Sequence, residues 1–477
     1  MIADPNLQKT HSDNKQQELT VALLPWGHAW EDFHDSIGVS FESFCNEMTG
    51  GWQFGYIDAL RLAGVRTVVI YPSTRFTEPT RFIHEPTGCT ICMLPVPKSY
   101  RAIRRHMVKP YPSFGGSWKD LFGDAQGSRR FLLKALREVA PYLTTPLGLV
   151  AQELRRESCS AIICQEYEYF RFDVCVLLGQ LLKIPVFATF QGTNSRSDGS
   201  HIGNAFRHLT MRACEGLIVG PQTEIQRVQS SYGLPSRKIA QIFNPLDLRM
   251  WGTADRNRAR TQFNIPDNAQ VVVWHGRVEI QIKGLDILLN AWEQICRDRP
   301  DRDLRLLLMG TGKDAENLQQ RIEALPVQNV LWLNEYINDR TLMLNFLSAA
   351  DIYAFPSRVE GFPVAPVEAM ACGLPVVAAE APGIPDILKN GEASGGIVVP
   401  RDDLPAFASA LGRLLDDEPL RQDLGRRARK RAEEYFSLEF VGEQLRDFLL
   451  KPNSLTLDSN TESSSAGQIQ NLQRESS

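Results

Sequence analysis

Residues 351–388 read DIYAFPSRVEGFPVAPVEAMACGLPVVAAEAPGIPDIL. The opening is an apolar run ending at Pro356–Ser357, the pattern of a strand buried on both faces. A loop carrying Glu360 and Gly361 follows. Pro366 suits the first turn of a helix, where its missing N–H would be unpaired anyway. Gly373 and Pro375 stop that helix. Glu360 therefore falls on the loop and Glu368 in the first helical turn. Free N–H groups and a partial positive charge at that end attract phosphate, and carboxylates accept hydrogen bonds from sugar hydroxyls. Taken alone, the same pair is equally a first-turn acid and a surface residue.

Working outward, residues 271–292 read VVVWHGRVEIQIKGLDILLNAW, again strand, loop and helix. The loop holds Arg277, a planar fork for phosphate oxygens, and Lys283, a compact point charge. Two cations at the carboxyl end of a parallel strand suit a diphosphate; the plainer alternative is a solvated surface pair. Gly310 and Gly312 form a GxG after the next strand, weak evidence by itself. Strand-like runs recur at 19–25, 66–72, 161–165, 185–190, 216–220, 271–276, 304–310, 330–334, 351–357, 374–380 and 395–400. Helical patterns lie between them, so the fold class is α/β with parallel sheets covered by helices on both faces. The runs form two series, one ending near Gly220 and one starting near Val271. The expected division is a polar tail over 1–17, a first Rossmann-like domain over 18–245 and a second over 246–435. A C-terminal helix over 436–452, part of a helical stretch Leu420–Leu450, returns to the first domain. A Ser/Asn/Gln-rich tail covers 453–477 and is expected to be disordered, like the first. Two doubly wound domains create a cleft, with ligands at the carboxyl ends of strands.

The 477 residues carry a net charge of −4 and are 43% hydrophobic and 23% charged. Mean hydropathy is −0.23. These values exclude collagen-like, wholly disordered and polytopic membrane chains, and argue against bulk nucleic-acid binding. No apolar run approaches the ~18 residues of a membrane span. The polar start lacks a signal-peptide core, so a cytoplasmic location is expected, peripheral at the inner membrane face if the basic segment described below binds lipid. Nine cysteines scattered in apolar context read as reduced core thiols. Cys89 and Cys92 have CxxC spacing without a second ligand pair, which is poor support for zinc.

The order Arg277 with Lys283, GxG at Gly310, PS-x-x-EG at 356–361 and Glu368 within EAMACGLPVV resembles the nucleotide-sugar half of the retaining glycosyltransferases of family 4, glycosyl transferases group 1, which have the GT-B fold. The resemblance is strong over 244–440 and weaker over 19–243. It implies that Arg277 and Lys283 bind the donor diphosphate and that Glu360 contacts the donor sugar. Gly361, Phe362, Gly310 and Gly312 then line the donor, Glu368 binds the ribose, and the backbone around Glu335 meets the base. Two departures stand out. Pro363 replaces a glycine frequent in the family and removes one N–H. Ala365 and Pro366 replace residues that are often hydroxylated or aliphatic.

In the first half, Gly50 and Gly51 precede a helical pattern and resemble the family's glycine loop, whose N–H groups approach the donor phosphate. Gln191-Gly192 stands where the family commonly has His-Gly; glutamine can bond a sugar hydroxyl but cannot be a general base. His28, Asp32, His34 and Asp35 form a metal-ligand composition, yet the resemblance implies that no metal and no cofactor is needed. Residues 98–137 carry ten Lys and Arg, among them Arg101, Arg104 and Arg105. Two readings compete: a patch for an anionic membrane or phosphorylated acceptor, and a solvated helix face.

The function expected is retaining transfer of a hexose from a nucleotide-diphosphate sugar, UDP-linked first and GDP-mannose next, to an acceptor hydroxyl. The acceptor would be a carbohydrate, a lipid-linked glycan or a small molecule, as in polysaccharide, glycolipid or cell-envelope glycan synthesis. No nucleic-acid partner is expected, and the oligomeric state is not legible. The alternatives are an inactive nucleotide-sugar-binding regulatory subunit, and an epimerase or phosphorylase of the same fold.

Overall fold

A computed structural model describes residues 19–107, 123, 127–192, 201–252, 254–327, 329–337 and 339–450. Both terminal tails, the aromatic residues Tyr111, Phe114 and Trp118, and Lys109 and Lys119 of the basic segment lie outside the described residues.

The first sheet contains β1 (Thr20–Leu24), β2 (Arg66–Ser73), β3 (Thr80–Ile83), β4 (Thr90–Pro95), β5 (Ala161–Gln165), β6 (Val186–Thr189), β7 (Gly216–Val219) and β8 (Ile239–Gln241), ordered β3-β4-β2-β1-β5-β6-β7-β8. Every pairing is parallel except β3 with β4. The second sheet contains β9 (Gln270–His275), β10 (Leu304–Met309), β11 (Val330–Leu333), β12 (Ile352–Phe355), β13 (Val376–Ala379) and β14 (Gly396–Val399). Its order is β11-β10-β9-β12-β13-β14, parallel throughout. The direction in which successive strands are added across the sheet reverses between β9 and β12, and in the first sheet between β1 and β5. These are the switch points at which doubly wound sheets bind ligands.

All eleven expected strands are present. Continuous apolar runs work here because each sheet is covered on both faces. On β9, Val271 and Val273 enter one core while Val272 and Trp274 enter the opposite one. On β1, Val21 and Leu23 separate from Ala22 and Leu24 in the same way. Three strands were not read from the sequence. β3 is a half-exposed antiparallel edge, β8 has three residues, and β4 follows a hairpin inserted into the βαβ rhythm.

The expected helical stretch Leu420–Leu450 is two helices, Glu418–Tyr435 and Leu438–Leu450. The break at Phe436–Ser437 has a local cause. Leu246 N–H donates to the Phe436 carbonyl at 2.7 Å, and Leu246 pairs with Ser437 as an isolated β-bridge. The two chain crossings between the sheets thus run side by side. Beyond the break, Val441, Leu445 and Phe448 join the core of the first sheet. Phe448 meets Phe187 edge-on at 5.4 Å, over Gly216.

Phe448→Ala removes a side chain 1% exposed, a loss of about 3–5 kcal/mol by cavity formation. In a thermal scan the first domain should melt well below the wild-type midpoint; an unchanged midpoint contradicts this packing.

Candidate active site

The second-sheet switch point is built by two loops that follow β9 and β12. The β12 loop reaches helix Ala365–Ala371, with Pro366 in its first turn and Gly373 in left-handed backbone after it. Glu368 in that first turn meets His275, the last residue of β9: Nε2 to Oε2 is 2.9 Å. The β9 loop continues into the short helix Ile280–Lys283, where Lys283 Nζ donates to Glu360 Oε1 at 2.7 Å. The side chains of Lys283 and Glu360 are 18% and 10% exposed. Such a half-desolvated pair holds its geometry better than a surface pair. Gly284 permits the turn: a Cβ there would lie 2.0 Å from the Pro356 carbonyl oxygen, at φ +64°.

Two buried polar atoms flank the switch point without a hydrogen-bond partner among the described residues: His275 Nδ1 at the end of β9 and Ser357 Oγ after β12. Native proteins leave few such atoms without water or ligand, and these two lie at the carboxyl ends of neighbouring strands.

The other sequence candidates fall into distinct groups. Arg277 stands off from Lys283: its side chain is 65% exposed and pairs with Glu279 at 2.6 Å, while Lys313 holds the other Glu279 oxygen at 3.0 Å. Gly310 and Gly312 have a packing reason, since Cβ atoms there would lie 2.0 Å from the Gly276 and 2.3 Å from the Val278 carbonyl oxygen. Glu335 is exposed beyond the end of β11. Phe362 differs from expectation: it is 7% exposed and its ring is stacked on Phe243 at 5.1 Å, turned into the core. Gly361 touches the first domain, where a Cβ on it would lie 2.1 Å from Gly192 Cα.

From the first domain, Gln191 exchanges two hydrogen bonds with Asn244, 2.8 and 3.1 Å, and donates to Thr189 Oγ1 at 2.5 Å. Its amide is committed within the protein, so its backbone and Gly192 are what reach the cleft. Gly50 precedes helix Gly51–Leu62 and faces Arg340 of the second domain, whose Nη2 lies 2.6 Å from where a Gly50 Cβ would be. Both glycines, Arg340 and Glu368 line one interdomain cavity of about 210 Å³. His275 and Arg340 were not singled out from the sequence. The only available signals were a histidine at a strand's last position and a cation at a helix start.

The 26–48 residues scatter. His28 Nδ1 meets Tyr100 OH at 3.1 Å, and burial lowers the His28 pKa to about 3. His34 Nδ1 bonds the Trp30 carbonyl at 2.8 Å, Asp35 pairs with Arg75, and Asp32 pairs with Arg104. That last pair corrects the basic patch: Arg104 is turned inward on Asp32 and bonds Tyr100. Arg101 donates to the Phe76 carbonyl at 3.2 Å, and Arg105 is exposed.

Residues 255–431 match the family model described as glycosyl transferases group 1. That match falls within the second domain. A GDP-mannose-dependent monoacylated alpha-(1-6)-phosphatidylinositol monomannoside mannosyltransferase of Corynebacterium glutamicum is 32% identical over 244 residues, 48% of this chain and 60% of the relative. A D-inositol 3-phosphate glycosyltransferase of Corynebacterium diphtheriae is 33% identical over 215 residues, 44% of this chain and 50% of the relative. The matched part of the chain thus spans only 50–60% of the length of these relatives. Among solved structures, Anabaena HepE in complex with UDP superposes with TM-score 0.64 at 17% identity, covering 91% of this chain and 99% of that one. Sucrose-phosphate synthase of Thermosynechococcus elongatus gives 0.64 at 18% identity, covering 92% and 100%. The fold is GT-B, and the family resemblance carried by the glutamate motif holds.

Gly310→Ala forces a methyl onto the Gly276 carbonyl at φ +126°. It should cost about 2 kcal/mol or more, read as a lower thermal midpoint with or without nucleotide. A variant of wild-type stability with selectively weakened nucleotide binding would instead make this loop a ligand contact.

Proposed function

We propose that the chain is a retaining glycosyltransferase that moves a hexose from a nucleoside-diphosphate donor to an acceptor hydroxyl. The observation that carries this reading is the Lys283–Glu360 ion pair at the switch point, beside the unpartnered His275 Nδ1 and Ser357 Oγ. Lys283 supplies the charge that draws the diphosphate, and Arg277, 65% exposed, is the second cation at the rim. A diphosphate at Lys283 releases Glu360 to accept from donor sugar hydroxyls. Glu368, oriented by His275, accepts from the ribose. The barrier falls mainly because departing negative charge meets fixed cations and N–H groups. The leaving diphosphate takes the acceptor proton on the same face. Gln191 has neither the chemistry nor the free amide to act as base. Proton transfer to the leaving diphosphate on the same face needs no carboxylate nucleophile, so the reading assigns no glycosidase double displacement to the two glutamates.

The donor is a UDP-hexose or GDP-mannose, the mannosyltransferase relative favouring the latter. The relatives' names favour an acceptor with an inositol or other polyol head, free or lipid-linked. Peripheral contact with an anionic membrane belongs to the same proposal. Among the described residues no helix is long and apolar enough to cross a membrane. Helix Ser128–Val139, in the basic segment, leaves Phe131 79% and Leu132 58% exposed. Two exposed apolar side chains on a helix whose sequence is rich in Lys and Arg suit an anionic interface.

The test is a donor panel of UDP-glucose, UDP-N-acetylglucosamine and GDP-mannose, with the product anomer read by proton NMR. Turnover with retained configuration is expected. Lys283→Ala and Glu360→Ala should each lower kcat/KM by about 100-fold or more with the fold intact. Near-normal rates refute the assignments, and nucleotide binding without turnover by wild type supports the regulatory subunit instead. Separately, Phe131→Ser with Leu132→Ser should weaken sedimentation with phosphatidylglycerol vesicles. Unchanged sedimentation rules out this helix as the contact.

A further inference from the structure

The loop that carries Glu360 is pressed between the two domains, and what presses it is a set of contacts centred on Asp386. Asp386 lies in the second domain, on the short helix Ile384–Ile387 after β13. Its carboxylate accepts hydrogen bonds from the first domain. Gln222 N–H, the first residue of helix Gln222–Tyr232, donates at 3.1 and 3.2 Å to its two oxygens. Gln241 Nε2, at the end of β8, donates to Oδ1 at 2.8 Å. The same Gln241 nitrogen also bonds the Gly220 carbonyl at 2.9 Å, so the corner 220–222 is stapled to the second domain as a unit.

That corner abuts the donor loop. A Cβ on Gly220 would lie 2.6 Å from the Phe362 ring. Behind the loop, a Cβ on Gly383 would lie 3.1 Å from Pro363 Cδ and 3.2 Å from the Gly361 carbonyl oxygen. The mounting is rigid on the second-domain side too: Arg431, on helix Glu418–Tyr435, donates to the Asp386 carbonyl at 3.2 Å and the Ile387 carbonyl at 3.3 Å. Burial raises the Asp386 pKa, a rise that its bonds to Gln222 and Gln241 oppose only in part. The carboxylate sits in a desolvating interface, with hydrogen bonds to Gln222 and Gln241 across the cleft and the charges of Lys389 and Arg431 on its own side.

We infer that Asp386 is a positioning residue: it latches the first domain against the 361–363 loop and so holds Glu360 in register for transfer. This rests on the proposed function for its catalytic readout, but the latch itself does not. Separating the domains to exchange donor and product requires breaking the three hydrogen bonds to Gln222 and Gln241. Closing re-forms them, and Gly192 returns to Gly361. Nucleotide contacts at Lys283 and Glu368 lie wholly within the second domain, so they do not depend on the latch.

The experiment uses the full chain with Asp386→Ala and, from the opposite domain, Gln241→Ala. Solution scattering of the free proteins should show a larger radius of gyration for both variants. With whichever donor of the panel wild type turns over, kcat/KM should fall about tenfold, as for a modest misplacement of the reacting groups. Calorimetric Kd values for UDP and GDP should stay within about twofold of wild type. The double variant should be no worse than the worse single one. Unchanged scattering and kinetics overturn the latch. Loss of nucleotide affinity matching the loss of kcat/KM, without expansion, also overturns it, because it marks a local defect of the second domain. If Asp386→Ala does not fold, Gln241→Ala decides. If wild type turns over no donor, the scattering result still decides the latch, and the failure belongs to the transferase reading alone.

Discussion

Two glycines from different domains touch backbone to backbone, and the rest of the site is arranged around that contact. A Cβ on Gly192 would fall 2.5 Å from Gly361 Cα, and one on Gly361 2.1 Å from Gly192 Cα. No side chain fits there. Gly192 also adopts φ +100°, where L residues are strained. The contact joins the loop after β6 to the loop after β12, so the carboxyl ends of the two sheets face each other across a single seam. Glu360 sits one residue from that seam and takes its orientation from Lys283.

The electrostatics follow from the same geometry. Lys283 has a carboxylate partner that a diphosphate can replace, so the cation stays solvated by its own protein until substrate arrives. Arg277, in contrast, is exposed and shared with Glu279. One cation is held inside the site and the other stands at its exposed rim. Preorganised charge in a partly desolvated site stabilises a departing anion more than the same charge in water would. His275 gives Glu368 a fixed direction without competing for its second oxygen.

Much of this was legible in the sequence because it rests on local signals. Pro366, Gly373 and Pro375 bracket a helix, and that bracketing puts Glu368 in a first turn whatever the tertiary structure. Continuous apolar strands mark parallel sheets, and eleven such runs mark eleven strands. What was not legible depends on partners distant in the chain. Gln191 looks like a sugar ligand until Asn244, at the domain crossing, is seen to hold its amide. Arg104 looks like part of a surface patch until Asp32 is seen to draw it inward. Phe362 belongs to a motif read as donor-binding, yet Phe243 and Phe436 take its ring into the core. His275 carries no motif at all, and only its register at the end of β9 brings it to Glu368. In each case one side chain has two chemically sensible fates, and a contact across the fold selects between them.

The central claim is that the Lys283–Glu360 pair marks the diphosphate position and opens when donor binds. A crystal structure of the chain soaked with UDP or GDP tests it most directly. The account predicts a β-phosphate within hydrogen-bond distance of Lys283 Nζ, with Glu360 released from the 2.7 Å ion pair and turned toward the sugar side. A nucleotide bound elsewhere, or bound there with the ion pair intact and the phosphate out of reach of Lys283, would contradict it.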